Sequence, residues 1–133
     1  MAVYNNQETV RAATESILKQ SFTDFEFIII DDGSIDQSSK ILNDLASKDK
    51  RIKLISQENH GLTTSLNRGL SYAKGQYIAR MDADDISLTN RLELQYQFLR
   101  QNPHIGVCGT QMELFGAKNG KSTVPTSPQE INI

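Results

Sequence analysis

Two hydrophobic patterns alternate along this chain. Nearly continuous apolar runs over Phe25–Ile30 and Ile52–Ile55 predict strands that are covered on both faces, and Met1–Tyr4 indicates the end of another strand. Between them, apolar residues recur at helical spacing over Gln7–Gln20 and Gln37–Ser47. The alternation of strand and helix predicts an α/β fold, with a mostly parallel sheet and helices on both of its faces.

The second half of the chain continues this alternation. Helices are predicted over Leu62–Ala73 and Leu88–Gln101, and strands over Tyr77–Met81 and Ile105–Phe115. The spacing of apolar residues also predicts which side of the first of these helices is buried. That face comprises Leu62, Leu66, Leu70 and Ala73.

Composition restricts the class of protein. With 133 residues and 38% hydrophobic content, the chain is one globular domain or a piece of one. The net charge of −2 predicts no nucleic-acid partner, and the single cysteine, Cys108, excludes an internal disulfide. No apolar run approaches the roughly 20 residues that span a bilayer. We therefore expect a cytoplasmic protein whose ligand is small.

Carboxylates follow two of the predicted strands. Asp82, Asp84 and Asp85 come directly after Tyr77–Met81, and Asp31-Asp32 ends the apolar run before Gly33. Ligands of open α/β sheets bind at the carboxyl ends of the strands, where clustered carboxylates repel one another unless a cation or hydrogen-bond donors compensate. Mn²⁺ or Mg²⁺ bridging a substrate phosphate provides this compensation. Alternatively, Asp84 or Asp85 caps the helix that begins near Leu88.

Three other phosphate-related classes fit the sequence poorly. Gly116–Ser122 is one residue too short for a P-loop, and prolines follow it where a helix would have to begin. The Gly-X-Gly-X-X-Gly fingerprint of dinucleotide-binding domains is absent. A phospho-acceptor receiver domain carries its double aspartate after the first strand, whereas here a strand end and a helix precede Asp31.

Four linked motifs resemble the amino-terminal half of a family 2 glycosyltransferase with the GT-A fold, which is Rossmann-like. The resemblance extends to about Phe115. It implies a nucleotide-sugar-binding part over residues 1–115, followed by a polar, irregular tail over 116–133 that leads to an acceptor half. The motifs are Ala2-Val-Tyr-Asn5, Phe27-Ile-Ile-Ile-Asp-Asp-Gly-Ser34, Asn59-His-Gly61 with Asn67-Arg-Gly69, and Tyr77-Ile-Ala-Arg-Met-Asp-Ala-Asp-Asp-Ile86 with Asn90-Arg-Leu92.

The resemblance also implies a role for individual residues. Tyr4 would stack on a base and Asp32 would accept a hydrogen bond from a base N–H. Asp84 would hold the metal, Asp31 would brace its turn, and Arg80 would pair with a nearby carboxylate. Core packing is the alternative for Tyr4, and a solvated or structural role is the alternative for Asn59 and Asn67. The nucleotide-binding residues implied are Ala2, Tyr4, Asp32, Asn59, Asn67 and Asp82.

The implied chemistry is metal-dependent, inverting transfer of a sugar from a nucleoside diphosphate donor, a UDP-sugar, to an acceptor hydroxyl. The acceptor would be a glycan or a lipid-linked molecule in polysaccharide or cell-surface glycan synthesis, with the parent enzyme peripheral to the inner face of the membrane. The catalytic base is expected beyond Ile133, because neither Glu113 nor Glu130 matches the base motif. We therefore expect the chain to bind nucleotide, to form a homodimer through uncovered apolar surface, and to transfer no sugar. The alternative is a nucleotide-binding assembly module without turnover.

Overall fold

The computed structural model describes residues 1–115 and 120–122. It contains two compact units, Met1–Glu93 and Leu94–Ile133. The elements in chain order are β1 (Ala2–Val3), α1 (Val10–Leu18), β2 (Phe27–Asp31), α2 (Ser38–Lys48), β3 (Ile52–Ser56), α3 (Leu62–Tyr72), α4 (Arg91–Gln101), β4 (Met112–Leu114) and β5 (Gly120–Ser122).

The sheet of the first unit is parallel, in the order β1-β2-β3. Val3 pairs with Asp31, and Asp31 pairs with Ser56, so these three residues form one row across the sheet. Parallel strands in this register end at the same level. The residues that directly follow each strand therefore meet at one edge of the sheet.

Helices cover both faces of β2, as the α/β pattern predicts. Phe27 and Ile29 belong to the core cluster that includes Val10 of α1 and Leu42 of α2. The alternate residues Ile28 and Ile30 lie on the opposite face, close to Gly69 of α3. Ile29 and Ile30 are almost completely buried, which explains why the strand is apolar at consecutive positions.

The predicted buried face of α3 is only partly confirmed: Leu66 and Ala73 are half-buried, but Leu62 and Leu70 are not. Leu62 is 55% exposed and Leu70 is 51% exposed, whereas Ser65 is fully buried. Ser65 and Gly69 are one helical turn apart, and a Cβ on Gly69 would lie 3.6 Å from Ile30 Cγ1. Small residues on this face let the helix axis approach β2 closely, and Leu62 and Leu70 are consequently rotated away from it.

The strand predicted over Tyr77–Met81 is not observed. A strand needs a hydrogen-bonded neighbour, and β1 offers only two residues, which pair with β2. Ile78 is 57% exposed, but the end of the segment is anchored, since Met81 and Ala83 are buried in the core. The apolar residues of this segment therefore reflect its attachment to the core and do not indicate a hydrogen-bonded strand.

The second unit holds a short antiparallel pair. Met112 of β4 pairs with Ser122 of β5, so only the end of the predicted strand over 105–115 is confirmed. Gly106 and Gly109 precede β4 and weaken strand structure there. Residues 116–119 and 123–133, which include most of the predicted tail and of the P-loop-like segment, lie outside the described residues. Within the described ranges, no helix is long and apolar enough to cross a membrane.

Candidate functional site

The row of strand ends places three polar side chains at one edge of the sheet. Tyr4 follows β1, Asp32 follows the last residue of β2, and Gln57 follows β3. Backbone hydrogen bonds fix this level, because the Asp32 N–H donates to the Val3 carbonyl at 2.8 Å and the Gln57 N–H donates to the Asp31 carbonyl at 3.0 Å. Tyr4 is 48% exposed, so core packing does not explain it.

Two neighbours of this edge were also predicted site or turn residues. Ala2 lies within β1, pairs with Ile30 and is only partly exposed. Asp31 braces the turn as expected: its Oδ1 accepts the Ser34 N–H at 3.1 Å, and its Oδ2 accepts the Ser39 hydroxyl. The first aspartate of the pair is therefore structural in this fold.

Asp32 is buried, yet its carboxylate is well supplied with donors. Oδ1 accepts hydrogen bonds from Gln57 Nε2 at 2.6 Å and the His60 N–H at 2.9 Å, and Oδ2 accepts the Gly61 N–H at 2.9 Å. Burial raises the pKa of Asp32, but the hydrogen bonds from His60, Gln57, Ser65 and Gly61 outweigh it, and the net pKa is lowered. The carboxylate is therefore ionised at neutral pH.

The loop between β3 and α3 is held against the loop after β2. Gly33 and Gly61 both have positive φ, at 76° and 84°, which glycine adopts without a steric cost. Asn59 lies in the loop between β3 and α3, next to Gly33, and is exposed. Asn67 is exposed on α3. The structure thus presents the loop asparagine beside the predicted base-reading carboxylate.

The acidic cluster is anchored near the start of α1. The Thr9 hydroxyl, which follows β1 at the same edge, donates to the Ala83 carbonyl at 3.0 Å. The Asp85 N–H makes a turn by donating to the Asp82 carbonyl at 3.4 Å. Burial alternates here, since Ala83 is buried whereas Asp82 is partly exposed and Asp84 is exposed.

The charges around this turn are only partly paired. Arg80 Nη2 lies 2.6 Å from Asp82 Oδ1, which confirms the ion pair expected for Arg80. Asp84 and Asp85 cap no helix, because α4 begins at Arg91, well beyond them. That alternative for the acidic cluster is therefore wrong.

The segment after the acidic turn runs alongside α1 and is tied to it by side chains. Ser16 Oγ accepts the Ser87 N–H at 3.0 Å. Gln20 Nε2 donates to the Leu88 carbonyl at 2.7 Å, and Gln20 Oε1 accepts the Leu92 N–H at 2.9 Å. We call residues 83–92 the α1-bound segment. It fixes the carboxyl side of the acidic turn to α1 and the residue that follows its C-cap, while Thr9, which directly precedes α1, anchors Ala83.

The donor set fits a metal ion that is shared with a substrate. In the described parts of the chain, no group of three or more Asp, Glu, His or Cys side chains could enclose an ion. Mg²⁺ in nucleotide sites takes only one or two protein carboxylates and completes its shell with water and phosphate oxygens. Asp84, together with Asp82, supplies that number.

Three residues that are linked to Asp32 by hydrogen bonds were not predicted as site residues from the sequence: Gln57, Ser65 and Arg68. Gln57 links the carboxylate of Asp32 to α3, because its Nε2 also donates to Ser65 Oγ at 3.0 Å. Its Oε1 accepts a hydrogen bond from Arg68 Nη1 at 2.7 Å. The position of Gln57 directly after a strand was the available signal, but its partners lie on another element and have no local pattern.

Comparison with known proteins identifies the family. The family model described as glycosyl transferase family 2 matches residues 1–130, and the chain belongs to this family. EpsE of Bacillus subtilis is 41% identical over 97% of this chain and 48% of its own length. Glycosyltransferase GlyG of Streptococcus pneumoniae serotype 4 is 38% identical over 74% of this chain and 33% of its own. The chain therefore spans about half or less of the length of these relatives.

Solved structures agree with the fold. The crystal structure of S. aureus TarS 1-349 in complex with UDP matches with a TM-score of 0.71 and 25% identity, covering 77% of this chain and 31% of that one. A further TarS crystal structure matches with a TM-score of 0.68 and 26% identity, over 75% and 18% of the two chains. The α/β fold of GT-A type, present here as a partial domain, is confirmed.

Proposed function

We propose that this chain is the donor-binding part of a glycosyltransferase that moves a sugar from UDP to an acceptor hydroxyl. The observation that carries the proposal is the convergence at one sheet edge. Tyr4 and Asp32 follow two aligned strands, and the turn with Asp82 and Asp84 is anchored there through Thr9. One side of this edge suits a base, and the acidic side suits a diphosphate that carries a metal ion.

Uracil is the proposed base. The similarity to TarS, whose structure was determined with UDP, supports this choice. An ionised Asp32 is an acceptor for the N–H that uracil has and cytosine lacks at the same ring position. The exposed ring of Tyr4 offers a flat face for stacking, with Ala2, Asn59 and Asn67 as further contacts to the nucleoside.

Asp84 is the proposed ligand of Mn²⁺ or Mg²⁺, with Asp82 facing the ion or the ribose. A bound divalent ion supplies Lewis-acid stabilisation of the charge that grows on the leaving diphosphate. The exposed carboxylate of Asp84 is available for this, whereas Asp82 already pairs with Arg80. If a divalent cation took the place of Arg80 beside Asp82, the Arg80 guanidinium would be free to pair with the phosphates.

The acceptor side of the reaction is also part of the proposal. Inverting transfer needs a base on the face of the sugar opposite the leaving group. We assign that base to a part of the parent protein outside this chain, and we propose a glycan or lipid-linked acceptor in cell-surface glycan synthesis. A cytoplasmic enzyme that associates peripherally with the membrane, and a homodimer, are consistent with this role.

Titration calorimetry tests the donor proposal. UDP, CDP and GDP are titrated into the 133-residue chain with Mn²⁺ and with a chelator. We expect UDP to bind best and its affinity to fall when the ion is removed. Equal affinities for the three nucleotides, or no effect of the chelator, would contradict the proposal. If the full-length protein binds UDP-sugar but releases no UDP with a panel of acceptors, an assembly module without turnover is the better description.

A further inference from the structure

A hydrogen-bonded chain of side chains connects α3 to the predicted base-reading carboxylate. Arg68 Nη1 donates to Gln57 Oε1 at 2.7 Å, and Gln57 Nε2 donates to Asp32 Oδ1 at 2.6 Å. The same Nε2 donates to Ser65 Oγ at 3.0 Å. Gln57, Ser65 and Arg68 therefore form one network with Asp32, and they come from two elements that are far from Asp32 in sequence.

The partners of Gln57 fix the orientation of its amide. A guanidinium group can only donate hydrogen bonds and an ionised carboxylate can only accept them. The amide oxygen must consequently face Arg68 and the amide nitrogen must face Asp32. If the amide were turned over, both contacts would become repulsive. Arg68 thus acts on the carboxylate through the side chain of Gln57.

This orientation determines which carboxylate oxygen can accept a further donor. Oδ1 of Asp32 already accepts two hydrogen bonds, from Gln57 and from the His60 N–H. Oδ2 accepts the Gly61 N–H. A carboxylate oxygen has two lone pairs, so Gln57 and His60 fill both lone pairs of Oδ1 and exclude a further donor there. The Ser65 hydroxyl also bonds to this carboxylate.

We propose that Gln57 is a positioning residue for base recognition, which holds Asp32 with Oδ2 turned toward the base. The inference rests on the proposed function, because it assumes that Asp32 reads the base. Gln57 does not touch the nucleotide in this scheme. Its role is to keep the carboxylate ionised and in one rotamer, and Arg68 keeps Gln57 in place.

Other charges near Asp32 could influence its titration. Asp31 precedes it on β2, Glu58 and His60 lie on the loop that packs against it, and Arg68 lies on α3. The lowered pKa of Asp32 has burial and hydrogen bonds as its causes, including the one from Gln57. Removing this donor should therefore raise the pKa of Asp32 without any change in those charges.

The test compares Gln57→Leu with the matched control Gln37→Leu, which alters an exposed glutamine at the start of α2. We expect Gln57→Leu to weaken UDP binding about tenfold and to reduce the preference for UDP over CDP, because one buried charged hydrogen bond is lost. The pH below which UDP affinity falls should also move upward. Gln37→Leu should change none of these.

A second variant and a titration without nucleotide keep the result interpretable. Gln57→Glu preserves the partner of Arg68 but removes the donor to Asp32, so it should show the same loss of preference even if Gln57→Leu folds poorly. A carbon-13 NMR titration of the Asp32 carboxyl should show a raised pKa in Gln57→Leu, and a larger rise in Gln57→Glu, because the new carboxylate adds a like charge beside Asp32. Wild-type affinity, preference and Asp32 pKa in both would overturn the inference. If the wild-type chain binds no UDP, the proposed function fails, and the NMR titration alone decides whether Gln57 positions Asp32.

Discussion

The backbone nitrogen of Asn59 lies 2.8 Å from the point where a Cβ on Gly33 would be. No real Cβ tolerates a neighbour at this distance, and the neighbour is backbone, which cannot rotate away. Glycine is therefore required at position 33 for two reasons: its φ is positive, and the two loops touch at this point. Since Asp32 binds the same loop through the His60 and Gly61 N–H groups, the loops after β2 and β3 are held against each other at several points.

Substitutions of three glycines separate the two causes. Gly61 has positive φ with ψ at 164° and no heavy atom within 4 Å of its Cβ position, so Gly61→Ala should lower the free energy of unfolding by about 1–3 kcal/mol from backbone strain. Gly33→Ala adds a steric clash and should cost more. Gly109 has neither feature, and Gly109→Ala should change stability by less than about 0.5 kcal/mol. Urea denaturation measures all three, and an equal loss for Gly33 and Gly61 would contradict the contact.

Asp84→Asn tests the metal ligand. The amide keeps the shape of the side chain but loses the charge, so UDP affinity in Mn²⁺ should fall by more than about tenfold, which is 1.4 kcal/mol. Affinity measured in chelator should not change. Asp85→Asn is the matched control, because this exposed carboxylate is adjacent and has no assigned role. Calorimetry that finds the same loss for both variants would point to general charge and not to a ligand.

Asp32→Asn tests the base reader. An amide in this position presents donors where the uracil N–H needs an acceptor, so the free-energy preference for UDP over CDP should shrink by about 1–3 kcal/mol. Asp36→Asn serves as control, since Asp36 also accepts backbone hydrogen bonds, from Gln7 and Ser38, in the loop after β2. A full preference retained in Asp32→Asn would show that the base is read elsewhere. Competition calorimetry with the two nucleotides gives the ratio directly.

The lowered pKa of Asp49 predicts how the free energy of unfolding changes at acid pH. Hydrogen bonds from Arg51, whose Nη2 lies 2.7 Å from Asp49 Oδ2, lower the pKa of this carboxyl below its ordinary value. Its contribution to folding is therefore complete above about pH 4, near the pKa in the unfolded chain, and is lost as pH falls through the lower folded pKa. The stability difference between wild type and Asp49→Asn should shrink below about pH 4.

Urea denaturation at a series of pH values from neutral to acid measures this difference. Asp24→Asn is the control, since Asp24 is an exposed aspartate outside the Asp49–Arg51 pair. A constant difference between wild type and Asp49→Asn across the acid range would contradict the role of the Arg51 pair.

The parts of the fold that depend on local pattern could be predicted from the sequence. β2, β3, α1 and α2 appear close to the predicted positions because each carries a continuous apolar run or a helical stripe. The face of α3 could be predicted only in part this way, since Gly69 allows close approach only if its neighbour is Ile30. The segment 77–81 has strand-forming residues, but whether a strand forms depends on a hydrogen-bonded partner elsewhere in the chain.

The candidate site shows the same division. The position of Asp32 after an apolar strand indicated a place at the sheet edge, and the register of Val3, Asp31 and Ser56 agrees with it. The partners of Asp32 were not predictable, because Gln57 and Gly61 reach it only after the strands have paired. Its assignment to base reading, like that of Asp84 to metal, stays a prediction until binding is measured.

The α1-bound segment has a consequence for how the chain tolerates change. Ser16 and Gln20 hold it by bonding to backbone groups of residues 87, 88 and 92, and Thr9 does the same at Ala83. A backbone N–H or carbonyl is present whatever the side chain is. Exposed positions in the segment other than the proposed metal ligand Asp84 can therefore accumulate substitutions freely, while the restriction on sequence falls on Thr9, Ser16 and Gln20.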